Sequence, residues 1–263
     1  MTGEEHAEAA ARLADAARTR IPIAPLTQSL GDLSAQDAYA IQRYGIDARI
    51  AGGARLVGHK IGLTAVSVQQ QLGVDSPDYG ALLDDMLLPN GAAIPRDSLL
   101  APRVEVEVAF ILGAPLAGPG VTATDVQAAT SYVAAAIEVV DSRIGDWRIT
   151  LEDTVADNAS SAALLLGPSV VPEGLDLAAL GARLLRGGEL VETGSTAAVL
   201  GDPRRAVAWL VNALGALGTT LEAGQIVLSG AATRMVDARS GDHFKAELDG
   251  LGSVSVSFME RPQ

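Results

Sequence analysis

Residues Pro102–Phe110 read PRVEVEVAF, and the architecture turns on how these nine residues are read. In a β-strand, successive side chains point to opposite faces. Val104, Val106 and Val108 then share one face, while Glu105 and Glu107 share the other with no basic residue between them. An edge strand with its polar face in water has this pattern, and antiparallel sheets commonly contain such strands. A strand that brings two carboxylates to one site has it too. The nine residues leave both readings open.

A third glutamate sharpens the choice. Glu138 lies in AAAIEVVDSR, with apolar neighbours on both sides, as in a strand buried on both faces. An isolated buried charge is very costly, so a carboxylate there needs a partner. If Glu138 faced Glu105 and Glu107, each pair about 4 Å apart would repel by roughly 4 kcal/mol at an effective dielectric near 20. Protons or a cation must then relieve the repulsion. Three carboxylate oxygens suit a hard divalent ion, Mg²⁺ first and Mn²⁺ second, and leave positions open for water and substrate. The competing reading pairs Glu138 with Arg143 or another arginine.

Composition narrows the function classes. The chain has 263 residues, 48% hydrophobic but 3% aromatic, so alanine, valine and leucine must do most of the packing. A formal net charge of −13, with no stretch rich in basic and aromatic residues, argues against a nucleic-acid partner. Cysteine is absent, which excludes disulfides, iron–sulfur clusters and zinc–thiolate sites. The acidic start MTGEEHAEAAARLADAARTR lacks the features of a signal peptide, and no apolar run approaches the roughly 18 residues of a membrane span. The expectation is a soluble, cytoplasmic protein with no membrane partner. Of the 19 basic residues two are lysines, Lys60 and Lys245.

Along the chain, Glu4–Arg18 is alanine-rich and helical in pattern. A second helix is expected from Ser34, with Asp37 three residues on as in a capping box, to Gly52 and Gly53. IPIAPLTQSLGD between them reads as a connector. RLVGHKIGL and PRVEVEVAF read as strands flanking a short helix near Val66–Leu72. TATDVQAATSYVAAA reads as a helix running into the strand AIEVVDSR. Asp202 and Pro203 form an N-cap and first-turn pair for PRRAVAWLVNALGAL, and QIVLSG, HFKAEL and SVSVSFM read as strands. Without regular strand–helix alternation, the expectation is one mixed α+β domain, residues 55–263, carrying an N-terminal helical segment, 1–54. GARLVGHKIG fails as a P-loop because His59 precedes Lys60 and Ile61 follows it. A dinucleotide fingerprint, a nucleophile elbow and a paired-histidine metal motif are all missing.

The stretches DAYAIQ, VGHKIGLT, QQQLGVDSPDYGALLDDM, PRVEVEVAF, AIEVVDSRIGDWRITLEDTVADNASS, AVLGDPRRAVAWL and GLGSVSVSF occur in this order from Asp37 to Phe258. In them the chain resembles the 2-hydroxypenta-2,4-dienoate (2-keto-4-pentenoate) hydratases of aromatic meta-cleavage catabolism, within the fumarylacetoacetate hydrolase superfamily. The resemblance implies a mixed β-roll with outer helices and assembly into pentamers or pairs of pentamers. It implies that Glu105, Glu107 and Glu138 hold Mg²⁺ or Mn²⁺, that Lys60 is the acid/base group, and that Asp78 and Ser160 line the site. A lysine is the chemically apt choice, since arginine scarcely deprotonates whereas desolvation can lower a lysine into range. The implied reaction hydrates a 2-hydroxy-2,4-dienoate to a 4-hydroxy-2-oxo acid, with a downstream aldolase as a partner. On the same scaffold the alternatives are a 2-oxo-3-hexenedioate (4-oxalocrotonate) decarboxylase, a 2-oxohept-3-enedioate hydratase and a 1,3-diketone hydrolase. A catalytically silent partner subunit is the non-enzyme alternative. The phrase after Asp141 resembles hydratases rather than the KFDL-like phrase of decarboxylases.

Overall fold

The computed structural model describes residues 1–65, 69 and 74–260. The helix expected at Val66–Leu72 lies, Gln69 apart, outside the described residues. Helices Gly3–Thr19, Leu26–Leu30 and Ala35–Ala51 open the chain. The strands are β1 Leu56–Gly62, β2 Asp78–Leu83, β3 Leu87–Leu88, β4 Ala93–Pro95, β5 Arg103–Leu112, β6 Thr130–Val140, β7 Ser161–Leu166, β8 Gly181–Arg186, β9 Glu189–Ser195, β10 Ile226–Ala231, β11 Val236–Asp237, β12 His243–Leu248 and β13 Gly252–Met259. Among the described residues they form two sheets. The larger runs β2-β1-β10-β5-β6-β7-β3, with β11 also on β5, and the smaller runs β4-β13-β12-β8-β9.

The edge-strand reading of Pro102–Phe110 fails. β5 pairs with β6 on one side and with β10 and β11 on the other. Its Val104, Val106, Val108 and Phe110 pack with Phe244, Ala246, Val254, Val256 and Phe258 of the smaller sheet. The opposite face is covered as well. There Ala109 joins Ala134, Ala136, Leu164, Leu228 and Leu82 in a second apolar cluster. β2 and the short turn Asp84–Met86 come back against β7, so the larger sheet coils around this face. The outcome is a mixed α+β roll in which a glutamate on β5 can point only inward.

The helix expected over TATDVQAATSYVAAA ends early. Thr122 caps Ala123–Ala129, and from Thr130 the chain is β6. Alanines 134–136 suit a helix in isolation, but here they lie between β5 and β7, with Ala134 and Ala136 on the inward face and Ala135 on the face toward the smaller sheet. Elsewhere the local signals hold. Ser34 Oγ accepts from Asp37 N–H at 3.1 Å at the start of Ala35–Ala51, and Asp202 caps helix Pro203–Gly215 with proline in its first turn. IPIAPLTQSLGD contains the short helix Leu26–Leu30 in addition to its connecting turns.

The N-terminal helices share a core with the rest of the chain. Ala9, Ala10, Leu13, Ala38 and Ile41 pack with Ile144, Val155 and Ala156. Gln42 Nε2 donates to the carbonyls of Tyr79 and Val155 at 3.0 and 2.9 Å, tying helix Ala35–Ala51 to β2. Among the described residues no helix is long and apolar enough to cross a membrane.

Candidate active site

Glu105 and Glu138 are direct partners across β5 and β6, and Glu107, two residues along β5, points to the same face. Antiparallel register thus unites carboxylates 33 positions apart in the chain. All three offer oxygens within 4.8 Å of one another. Glu105 is 8% exposed, and Glu107 and Glu138 are 0% exposed. The Gly230 N–H donates to Glu107 Oε2 at 2.7 Å, but Glu107 Oε1 and both oxygens of Glu138 receive no hydrogen bond. Burial, then the charge of Glu138, pushes Glu105 up to about 8. The same causes, with Glu105 added, hold Glu107 well above the carboxylate range. Buried carboxylate oxygens that converge without hydrogen bonds are the donor set of a hard divalent cation, and the residues present fit one.

The alternative pairing of Glu138 with Arg143 is overturned. Arg143 bonds the carboxylate and carbonyl of Asp157 and, at 3.3 Å, the Ser161 carbonyl. Burial nevertheless raises Asp157 to about 6. The cation against Glu138 is Lys60, whose Nζ stands 3.3 Å from Oε2.

Lys60 lies mid-strand on β1 and reaches over β10, the strand separating it from β5. It is 3% exposed, and its Nζ donates to the Ala159 carbonyl at 3.2 Å. Asp78, at the start of β2, sits opposite Gly62. A Cβ on Gly62 would lie 2.1 Å from Asp78 Oδ1 and 3.4 Å from Lys60 Nζ, so the glycine keeps open the space in which the two groups approach. The expectation that desolvation lowers Lys60 needs correction. Burial is the largest influence and does favour the neutral amine, yet Glu138, Asp78, Glu105 and Glu107 together outweigh it and hold the ammonium above its ordinary value. Asp78 is itself raised, by burial first and against the opposing pull of Lys60.

Ser160 is buried, but its Oγ meets Thr154 Oγ1 at 3.2 Å, and the contact to Lys60 comes from its neighbour Ala159. Asn158, Ala159 and Ser160 have φ of 55°, 49° and 56°, a left-handed turn built without glycine. Such residues cost about 1–2 kcal/mol each, asparagine least, and strain of this kind clusters at functional sites. Asn158 Oδ1 accepts from Ala81 N–H at 2.8 Å, and its Nδ2 donates to the Ala81 carbonyl at 2.9 Å. Asn158, Ala159 and Gly230 are not singled out by any sequence motif read above. An Asn within DNAS, a residue tolerant of positive φ, was the one available signal.

Residues 60–258 match the model of the fumarylacetoacetate (FAA) hydrolase C-terminal family. A 2-keto-4-pentenoate hydratase of Paraburkholderia xenovorans strain LB400 is 48% identical over 259 residues, covering 98% of this chain and 96% of that protein. A 2-hydroxyhexa-2,4-dienoate hydratase of Comamonas testosteroni is 44% identical over 252 residues, 95% of this chain and 96% of that protein. Among solved structures, the 4-oxalocrotonate decarboxylase of Pseudomonas putida G7 complexed with magnesium and adipate superposes with a TM-score of 0.95 at 36% identity, covering 98% of this chain and 99% of that one.

Proposed function

The chain belongs to the fumarylacetoacetate hydrolase family, and on that premise we propose that it is a metal-dependent hydratase converting 2-hydroxypenta-2,4-dienoate to 4-hydroxy-2-oxopentanoate. The observation that carries the reading is the buried meeting of Glu105, Glu107 and Glu138 with Lys60 in a chain 48% identical to a hydratase. The three glutamates would hold the ion, Mg²⁺ ahead of Mn²⁺. Bound there, a divalent ion would supply Lewis-acid stabilisation of negative charge developing on the substrate's C2 oxygen.

The chain's own residues handle the protons. Lys60, anchored on Glu138 and the Ala159 carbonyl, delivers a proton to C5 as the C2 hydroxyl loses its own. The product of that step is an α,β-unsaturated ketone with an electrophilic C4. Water adds at C4, and C3 takes the remaining proton. Asp78, raised by burial and close to Lys60, is placed to pass protons to and from it. Ser160 lines the site through its turn. The roll's apolar wall, including Ala109, Ala136 and Leu228, excludes bulk water from these steps.

The second reading, a 4-oxalocrotonate decarboxylase, draws on the P. putida G7 structure. The hydratases' higher identity favours the first reading. A cytoplasmic homo-oligomer of five or ten chains, feeding a downstream aldolase, completes the proposal. The test is an ultraviolet assay with freshly generated 2-hydroxypenta-2,4-dienoate, with Mg²⁺ and with excess chelator. Metal-dependent loss of dienol absorbance yielding 4-hydroxy-2-oxopentanoate is expected. Without such loss the hydratase reading falls, and carbon dioxide release from 2-oxo-3-hexenedioate tests the decarboxylase.

A further inference from the structure

We infer that Asn158 is a positioning residue for Lys60: its carboxamide pairs with Ala81 as a neighbouring strand would, locking the left-handed turn whose Ala159 carbonyl holds the lysine ammonium. The inference rests on the proton-transfer role proposed for Lys60.

β2 is the margin of the larger sheet, with β1 on its inner side. At Ala81 the N–H and carbonyl both face away from β1, toward Asn158. Left alone, such groups are an unpaired strand edge. Asparagine meets the position's two demands together, since its carboxamide carries a donor and an acceptor and its backbone tolerates positive φ. The approach is close. A Cβ on Gly80 would lie 2.6 Å from the Asn158 carbonyl, so glycine is required beside the clamp. On its other flank the turn is tied to the end of β6, where Asp141 N–H donates to the Ser160 carbonyl at 2.8 Å. Held between β2 and β6, the turn aims the Ala159 carbonyl at Lys60 Nζ, 3.2 Å away. Glu138, 3.3 Å away, and the nearby Asp78 are the ammonium's other neighbours. Lysine has a flexible four-carbon stem, so where the ammonium points depends on what grips its end.

The chain's two lysines make the test direct. Protein labelled with ¹³C at the lysine ε-carbon gives two signals, and substitution of Lys245 by Arg assigns them. Asn158→Ala is expected to move the Lys60 signal toward that of a free lysine and leave the Lys245 signal in place. Turnover of the Mg²⁺-loaded enzyme should fall about tenfold or more, with KM and Mg²⁺ affinity within about twofold. Asn158→Gly, which eases the backbone but removes the carboxamide, should behave the same way. Full turnover in Asn158→Gly, or a Lys60 signal unmoved in either variant, overturns the inference. Should these variants fail to fold, Asn158→Asp, which keeps the acceptor for Ala81 N–H, decides by the same two readings. If the wild-type protein does not hydrate the dienoate, the hydratase proposal fails by itself, and the Lys60 spectrum still tests the clamp.

Discussion

Lys60 and Lys245 stand mid-strand, one in each sheet, and each has a glutamate within reach. Lys245 lies 2.8 Å from Glu247 Oε1, with side chains 47% and 28% exposed. Lys60 lies 3.3 Å from Glu138 Oε2, with side chains 4% and 0% exposed. The shorter contact is the weaker one in energy. Water screens the Lys245 pair, and an ion pair of that kind contributes at most about 1 kcal/mol. Inside the roll, breaking a pair strands a charge at a cost of about 3–5 kcal/mol. The same contrast holds for whole strands. β12 and β13 alternate buried positions with exposed or partly buried ones, whereas β5 has the same period-two sequence and is buried almost throughout. Alternation marks which side chains share a face; what covers that face decides whether they titrate, bind metal or merely meet water.

The bluntest way to break the contrast is to replace each lysine by methionine. Lys60→Met should lower turnover by about 10²–10⁴-fold while Mg²⁺ still titrates in, and Lys245→Met should remain within about twofold of wild type. Near-normal turnover in Lys60→Met would sink the acid/base assignment. A smaller loss is expected at the metal. Glu107→Gln should weaken Mg²⁺ binding by about 10²-fold in calorimetric titration, with Glu247→Gln as the silent counterpart.

The third effect concerns pH. A carboxyl whose folded value is raised contributes stability that is complete below its unfolded value and is lost as pH rises through the folded one. With Glu105 raised to about 8 and Glu107 held well above the carboxylate range, chelator-treated protein should melt at progressively lower temperature from pH 6 to pH 9. Added Mg²⁺ should restore more of the melting temperature at pH 9 than at pH 6, because the ion competes with those protons. A flat profile in the stripped protein would count against the triad as a buried, cation-requiring cluster. Smallest of all, Gly62→Ala should cost about 1–3 kcal/mol in urea unfolding, since its Cβ meets Asp78 Oδ1 at 2.1 Å.

Much of the site was legible because its ingredients are local. Glu105 and Glu107 announce a shared face by spacing, and Glu138 announces a buried charge by its apolar neighbours. Helix caps at Ser34 and Asp202 were readable for the same reason, since a cap is settled within a few residues. Alanines 134–136 were misread because isolated propensity favours a helix, and only the packing of β6 between β5 and β7 overrules it. Local pattern leaves Glu138 open between a metal ion and an arginine and gives no hint of Lys60, because the strand order that carries Lys60 across β10 has no trace in it.

By itself, the sequence determined the strand through Pro102–Phe110, the pairing of its glutamates on one face, the absence of thiol chemistry and a family resemblance spanning nearly the whole chain. Tertiary structure alone decided that this face is interior, that Lys60 is held above rather than below its ordinary value, and that Asn158 rather than a further strand closes the edge at Ala81. The physical reason is one of range. Periodicity and capping act over a few residues, whereas burial, field and edge closure depend on groups that come together only when the sheet has rolled.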